Sequence, residues 1–244
     1  MIGDILTVMW KELRELFLQR GTRRGTLTSV GIMLFLFGVV VPFQLGRAWV
    51  ETPVGVIYWC WLPFMMVNNV IADSFAGERE RHTLETLLAS RLSDLSILLG
   101  KIGTAIVYGW GTSLLGLLVA LVTVNVFKGN GQLLLYSPLI GFGAPLVSFL
   151  VAGLAAGIGV LVSLRASTVR QAQQTVGMAF FIVLLPLFFL PMLPTDWKVA
   201  LLGFIKTADF FALGIGVLVA VFIVDVVLIG ISVLRFKRDK LILD

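Results

Sequence analysis

The stretch IGTAIVYGWGTSLLGLLVALVTVNVF, residues 102–127, decides the fold because it runs from end to end without an Asp, Glu, Lys or Arg. A helix needs about 20 apolar residues to cross the hydrocarbon core of a bilayer. The run is continuous, whereas strands of a membrane β-barrel alternate polar and apolar residues over about 10 positions. The stretch therefore predicts a membrane-spanning α-helix.

Comparable runs recur along the chain, and the last of them is interrupted only by Asp225. The long run that begins at Gly129 fits a loop up to Pro138 followed by a helix, because turn residues fill its first part. The predicted spans are 26–45, 54–73, 102–126, 139–163, 173–192 and 210–234. We therefore predict an all-α integral membrane protein in which residues 1–244 form a single transmembrane domain of six helices.

The composition supports this class. Hydrophobic residues make up 58% of the chain, charged residues only 14%, and the mean hydropathy is +1.00. A soluble domain carries about 25% charged residues, so lipid is the expected solvent for most of this chain. A single cysteine, Cys60, excludes an internal disulfide.

The Lys and Arg residues predict the orientation. All but four of the 19 lie in the N-terminal arm, the 74–101 loop, the 164–171 loop and the C-terminal tail. Because basic loops stay in the cytoplasm, we expect both termini there, in a multi-pass protein of the plasma membrane. This asymmetry accounts for the net charge of +5 without any nucleic-acid partner.

The N-terminal stretch 4–20 predicts an amphipathic helix on the membrane surface. Its polar arc includes Lys11 and Glu12, and Arg20, Arg23 and Arg24 follow it and suit the headgroups of anionic membrane lipids. Its apolar arc consists of Ile5, Leu6, Met9, Trp10, Leu13, Leu16 and Phe17. Two interpretations stay open: the helix only secures the first span, or it also contacts a cytoplasmic partner.

The loop GERERHTLETLLASRLSDLSILLGK, residues 77–101, predicts a short amphipathic helix over 77–91. A leucine face at helical spacing lies among charged residues, and Ser93 fits the N-cap of the next helix. The candidate docking residues are Glu78, Arg79, Glu80, Arg81, Thr83, Leu84, Glu85, Leu87 and Leu88. A helix of this kind can dock into a groove on another protein.

The loop before the last span predicts a second short helix, over 194–208. Pro191 and Pro194 end the fifth span, Thr195 fits a helix cap, and Trp197 suits a membrane boundary. We expect this helix to dip into the outer leaflet; the alternative is a plain surface loop.

The candidate polar residues in or at the end of the predicted spans are Asn68, Asn69, Asp73 and Asp225. An ionisable group in a span faces the bundle interior, a cavity or a partner. These residues either line a substrate or ion path or make hydrogen bonds between helices. Gly153 and Gly157 in the fourth span predict close helix packing, within one chain or between subunits.

Motifs of enzyme chemistry are absent from the sequence. Gly100 and Lys101 do not belong to a phosphate-binding loop, because no Ser or Thr follows and no glycine stands at 95. His82 is the only histidine, and no Cys/His cluster offers a metal site. We therefore predict neither an enzyme nor a cofactor bound to this chain.

The 74–101 segment resembles the permease subunits of type-2 ATP-binding cassette (ABC) exporters. The family segment E-x-E-x-x-T-x-E-x-L-L forms a coupling helix, and it matches Glu78, Glu80, Thr83, Glu85, Leu87 and Leu88. Lys11, Glu12 and Leu13, together with the stretch 163–174, are also similar. In this sequence His82 stands where the family usually has glycine, and Arg91 stands where proline is common.

This resemblance implies a mechanism. Two copies of the chain, or one copy and a paralogous permease, form the pathway, and separate cytoplasmic ATPase subunits bind ATP and Mg. The coupling helix and the surface helix transmit movement from the ATPase.

Two alternative functions stay open: a gradient-driven carrier that depends on Asp225, and a membrane anchor for a cytoplasmic complex. The sequence leaves the substrate open among lipids, drugs, peptides and ions.

Overall fold

The computed structural model describes residues 1–18, 20–189, 194, 195, 197 and 210–236. Its helices are α1 (Ile2–Leu18), α2 (Arg20–Phe35), a π-helical segment (Leu36–Val40), α3 (Val41–Leu45), α4 (Ala48–Glu51), a 3-10 turn (Pro53–Gly55), α5 (Val56–Glu80), α6 (Leu84–Leu88), α7 (Asp94–Lys128), α8 (Pro138–Ser163), α9 (Val169–Phe189) and α10 (Phe210–Arg235). Most of the predicted outer helix at 194–208, the last residues of the predicted span 173–192 and the tail after 236 lie outside the described residues.

Four helical stretches in the described part are long and apolar enough to cross a membrane. They are Gly25–Leu45, Asp94–Lys128, Pro138–Ser163 and Ala212–Arg235. The chain is therefore a helical, multi-pass membrane protein. Helices α5 and α9 occupy the other two predicted spans; α5 is 25 residues long, but Asn68, Asn69 and Asp73 lower its hydropathy.

Segments that the charge pattern assigns to one side of the membrane share one end of the structure. At that end the rings of Phe75 and Phe236 lie 5.3 Å apart, and Lys101 reaches Glu12 of α1. At the other end the Ser137 amide donates to the Val50 carbonyl at 3.1 Å. We call the first the charged end and the second the aromatic end.

The aromatic end is closed by ordered connections. Trp49 is fully buried, its ring lies 5.2 Å from that of Trp59, and its indole N–H donates to the Tyr136 hydroxyl at 3.3 Å. The Asn125 side chain bonds both the amide and the carbonyl of Leu134. These contacts connect the loops at this end to α7 and satisfy polar groups that lipid would leave unpaired.

Helix α5 lies at the centre of the bundle, against α7, α8 and α9. The rings of Phe64 and Phe180 stack at 3.5 Å between α5 and α9. The buried Ser163 hydroxyl accepts from the amides of Phe75 and Ala76 and donates to the Ala72 carbonyl, which fixes α8 to α5.

The first span contains an irregular segment that α7 stabilises. Residues Leu36–Val40 form a π-helical turn, and Pro42 follows it without an N–H to donate to the Gly38 carbonyl. The Thr123 hydroxyl of α7 donates to that carbonyl at 2.8 Å. A polar side chain of a neighbouring helix thus supports a proline-interrupted span.

Candidate functional site

The predicted docking segment 77–91 is divided by a turn at the charged end. Helix α5 continues to Glu80, and the separate short helix α6 covers only Leu84–Leu88. His82 has a φ of 57°, and the amides of His82 and Thr83 donate to the carbonyls of Arg79 and Glu78. This pattern is a Schellman motif, which ends helices at a residue in the left-handed conformation. The predicted continuous helix is therefore replaced by a helix end, a turn and one helical turn.

Glu78 points into the protein rather than outward. The residue is 8% exposed, and its carboxylate contacts the ammonium of Lys101 at 3.5 Å, while the Thr83 hydroxyl donates to its other oxygen. Lys101 in the first part of α7 is 2% exposed and also contacts Glu12 of α1 at 2.9 Å. One buried cation thus joins carboxylates from two different helices.

The electrostatics of this cluster favour the ionised form of Glu78. Burial by itself raises the pKa of a carboxyl group. The hydrogen bond from Thr83 and the positive charges of Lys101, Lys11 and Arg81 outweigh burial and hold the pKa of Glu78 below its usual value. Glu78 is therefore a charged partner for Lys101 at neutral pH.

The next two residues of α5 reach the connection between α8 and α9. The Arg79 guanidinium donates to the carbonyls of Leu164 and Ala166. The Glu80 carboxylate accepts from the amide of Val169 at 3.1 Å, at the first residue of α9. Negative charge at a helix N-terminus is stabilising. Consecutive residues of α5 thus hold α7, the α8–α9 turn and α9, and we call this arrangement the charged junction.

Helix α6 presents a narrow polar surface beside the charged junction. Leu84 is buried and Leu87 packs on the same core, whereas Glu85 and Thr86 are exposed. Arg81 is exposed and pairs with Asp73 through both oxygens at 3.1 and 3.3 Å. Leu84 and Leu87 of the face predicted for docking are therefore directed inward, and α6 ends at Leu88.

A cavity of about 640 Å³ opens between α1, α5, α6 and α7. Side chains of both charges line it, among them Lys11, Glu15, Asp73, Arg81 and Lys101. Lys11 lies 3.4 Å from Glu15, and Glu15 together with Glu12 and Glu78 raises the pKa of Lys11 even though burial opposes that shift. Lys11 and Glu12 of α1 and Leu87 of α6, three of the predicted contact residues, therefore line one recess.

Helix α1 packs on α7 through one face and leaves an apolar face open. Val8 is buried against Gly100, where a Cβ would lie 2.6 Å from the Val8 side chain. Ile2, Leu6 and Trp10 stay exposed. A helix with this distribution can lie in the membrane interface.

The four polar residues predicted in the spans do not form one group. Asn68 is buried and donates to the Gln173 carbonyl at 3.5 Å, whereas Asn69 is exposed. Asp73 pairs with Arg81 at the charged end. Asp225 is 6% exposed and faces Gly153 of α8. The structure thus places the four residues in four different environments.

Lys101 is the residue of this charged cluster that the sequence prediction missed. It borders the uncharged run 102–127 and looks there like an ordinary flanking lysine. The only local signal is its place between Gly100 and Gly103, which lets α1 approach closely. Its two carboxylate partners lie far away along the chain, so spacing does not reveal them.

Comparison with known proteins identifies the class. The sequence profile described as "ABC-2 family transporter protein" matches residues 47–234, which includes α5 to α10 and the charged junction. The chain therefore belongs to the ABC-2 family transporter proteins. The family is one of transporter proteins, which agrees with the helical, multi-pass membrane fold.

A curated relative agrees with this assignment. The chain is 24% identical over 141 residues to the ABC transporter permease protein NatB of Bacillus subtilis (strain 168). The aligned part covers 53% of this chain and 36% of NatB, so the chain matches only about a third of the relative's length.

Proposed function

We propose that the chain is the permease subunit of an ATP-driven exporter, in which ATP and Mg bind to separate cytoplasmic ATPase subunits. The observation that carries this proposal is the charged junction: Glu78, Arg79 and Glu80 connect α5 to α7, the α8–α9 turn and α9. A force applied beside this junction reaches four helices at once. A permease that takes its energy from a partner requires such a connection between its docking surface and its spans.

The exposed residues next to the junction are the proposed contact with the ATPase. Thr86 on α6 and Lys11 on α1 line the same recess, and the exposed Glu85 directly precedes Thr86 on α6. The buried residues Glu78 and Leu84 and the half-buried Glu12, all predicted contacts, then support this surface from inside. The excess of Lys and Arg in these segments assigns the charged end to the cytoplasm.

We further propose that α5 and α9 cross the membrane and line a pathway shared with a second permease copy or a paralogue. Asn69 on α5 and Gln174 and Thr175 on α9 are exposed in the single chain. Exposed polar side chains at membrane depth are costly in lipid. A second permease or a hydrated path next to this face would remove that cost.

Copurification with the ATPase tests the function directly. We expect the permease, extracted in mild detergent, to bring down an ATPase subunit that binds ATP with Mg. Glu85→Lys places a positive charge on the proposed contact and is expected to reduce this recovery at least several-fold. The matched control is Glu51→Lys, because Glu51 is exposed at the aromatic end.

Two results would count against the proposal. If no ATPase copurifies with the unaltered chain, the energy source is not a partner of this kind. If Glu85→Lys and Glu51→Lys lower ATPase recovery equally, α6 is not the contact. Transport into sealed vesicles without ATP, abolished by Asp225→Asn, would favour a gradient-driven carrier instead.

A further inference from the structure

Lys101 is buried where three elements of the charged junction meet. Its ammonium lies 2.9 Å from Glu12 of α1, 3.5 Å from Glu78 of α5 and 5.5 Å from the centre of the Phe75 ring. At 2% exposure it cannot itself be a surface for an ATPase. A buried charge is costly unless it is well paired, and Lys101 has partners on both sides.

The ion pairs of Lys101 lead to both elements that are proposed to contact the ATPase, α1 and α6. On one side Glu12 belongs to α1. On the other side Glu78 accepts a hydrogen bond from the hydroxyl of Thr83, the residue that immediately precedes α6. One carboxylate, that of Glu12 or that of Glu78, therefore connects the ammonium to α1 on one side and to the start of α6 on the other.

Packing next to Lys101 also fixes α1 against α7. A Cβ on Gly100 would lie 2.6 Å from Val8 and 3.3 Å from the Ile5 carbonyl oxygen, and a Cβ on Gly103 would lie 3.0 Å from the Met9 sulfur. Helix α1 thus approaches α7 more closely than side chains would normally allow. The ion pairs add a directional constraint to this close packing.

We propose that Lys101 is a positioning residue that joins α1 and α6 into one rigid lever. The two contact elements then move together when the ATPase closes, and the first part of α7 moves with them. This inference rests on the proposed function, because it takes α1 and α6 to be the ATPase contacts. Without the link each element could shift alone, and less of the movement would reach the spans.

A distance measurement between the two elements tests the proposal. In a Cys60→Ser background, spin labels are attached through Arg14→Cys on α1 and Ala89→Cys at the C-terminal cap of α6, two exposed positions that are not among the proposed ATPase contacts. Pulsed electron paramagnetic resonance then gives the distribution of distances between the two labels for the permease in nanodiscs. The measurement is made on the permease alone and on its complex with the ATPase, the latter without and with ATP. We expect a narrow distribution that stays the same when ATP binds.

The decisive variant is Glu12→Gln/Glu78→Gln/Lys101→Met, which removes the link without leaving a buried unpaired charge. Size-exclusion chromatography establishes that it folds. We expect its distribution to broaden and to shift when ATP binds. The matched control Lys128→Met removes a lysine at the aromatic end, where it lies over the Phe43 ring, and should preserve the narrow distribution.

Two results would overturn the lever. One is a change of about 5 Å or more, roughly one helical turn, in the mean distance between the labels when ATP binds to the complex with an unaltered junction. The other is a triple variant whose distribution matches that of the unaltered junction. Failure of the proposed function gives a different result, because no ATPase then binds to the permease. The distances between the labels in the permease alone still test whether Lys101 joins α1 to α6.

Discussion

At the scale of single residues, His82 adopts a conformation that its side chain disfavours. Its φ of 57° lies in the left-handed region, where a Cβ costs roughly 1–2 kcal/mol. Glycine, which has no Cβ, is the usual residue at this position of a Schellman motif. The turn that divides α5 from α6 therefore retains its geometry here through its backbone hydrogen bonds.

We expect His82→Gly to stabilise the protein by up to about 1 kcal/mol, because glycine removes the steric cost but loses more entropy on folding. The midpoint of thermal unfolding in detergent measures this gain. His82→Ala is the matched control, since alanine removes the imidazole but retains the Cβ. An equal gain from both variants would contradict the conformational explanation.

At the scale of helices, α8 and α10 pack through small residues. A Cβ on Gly157 would lie 2.9 Å from the Cβ of Leu228, and a Cβ on Gly153 would lie 2.8 Å from a carboxylate oxygen of Asp225. The small residues that the sequence placed four apart therefore pack within one chain. Close backbone approach is a usual source of stability between helices in lipid.

Gly157→Ala should separate α8 from α10 and destabilise the protein by about 1–3 kcal/mol, the usual cost of overpacking. Gly143→Ala on the same helix is the control, because nothing lies within 4 Å of a Cβ at that position. Loss of monodisperse protein on heating in detergent measures both. If the two variants behaved alike, close packing at Gly157 would not matter for stability.

At the scale of the whole molecule, charge and aromatic packing are separated between the two ends. The charged end depends on ion pairs around Lys101, whereas the aromatic end depends on rings and loop hydrogen bonds. Acidification should therefore weaken the charged end first, because protonation removes carboxylate partners.

The effect of pH on stability follows from Glu78. Its pKa is lower in the folded chain than the usual value of 4.5, so the unfolded chain binds this proton more readily. The stabilisation is therefore fully present above the usual value and is lost as the pH falls through the folded pKa. We expect the thermal midpoint to fall as the pH is lowered from about 5 to about 3.

Glu78→Gln should flatten this dependence, because the amide has no proton to gain in that range. The measurement compares the slopes of thermal midpoint against pH for the two proteins. An unchanged slope in Glu78→Gln would mean that other carboxylates cause the acid sensitivity.

Much of the helical layout was predictable, because continuous uncharged runs leave little alternative in lipid. The N-cap was predicted correctly as well: the Ser93 hydroxyl accepts from the Ser96 amide at 3.2 Å, and α7 begins at Asp94. The apolar helices and the N-cap of α7 each depend on residues that are close together in the chain, so both can be predicted from the sequence.

The arrangement of the candidate site could not be predicted in the same way. Charged Glu78, Arg79 and Glu80 look like a solvated helix face, yet each contacts a segment more than twenty positions away in the chain. The leucine pattern at 84–88 fits an outward docking face as well as the inward packing that the structure has. Tertiary contacts decide between such alternatives, and spacing along the chain does not encode them.

The hydrogen bond from Thr123 to the Gly38 carbonyl has a consequence for biogenesis. Its two residues are separated by 85 positions, and ribosomes add about 5–20 residues per second. Thr123, which donates this hydrogen bond, is therefore synthesised roughly 4–17 s after Gly38. During that interval the proline-interrupted turn of the first span must find another partner, such as water in the translocon or a chaperone, so the early nascent chain is the stage at which insertion is most vulnerable.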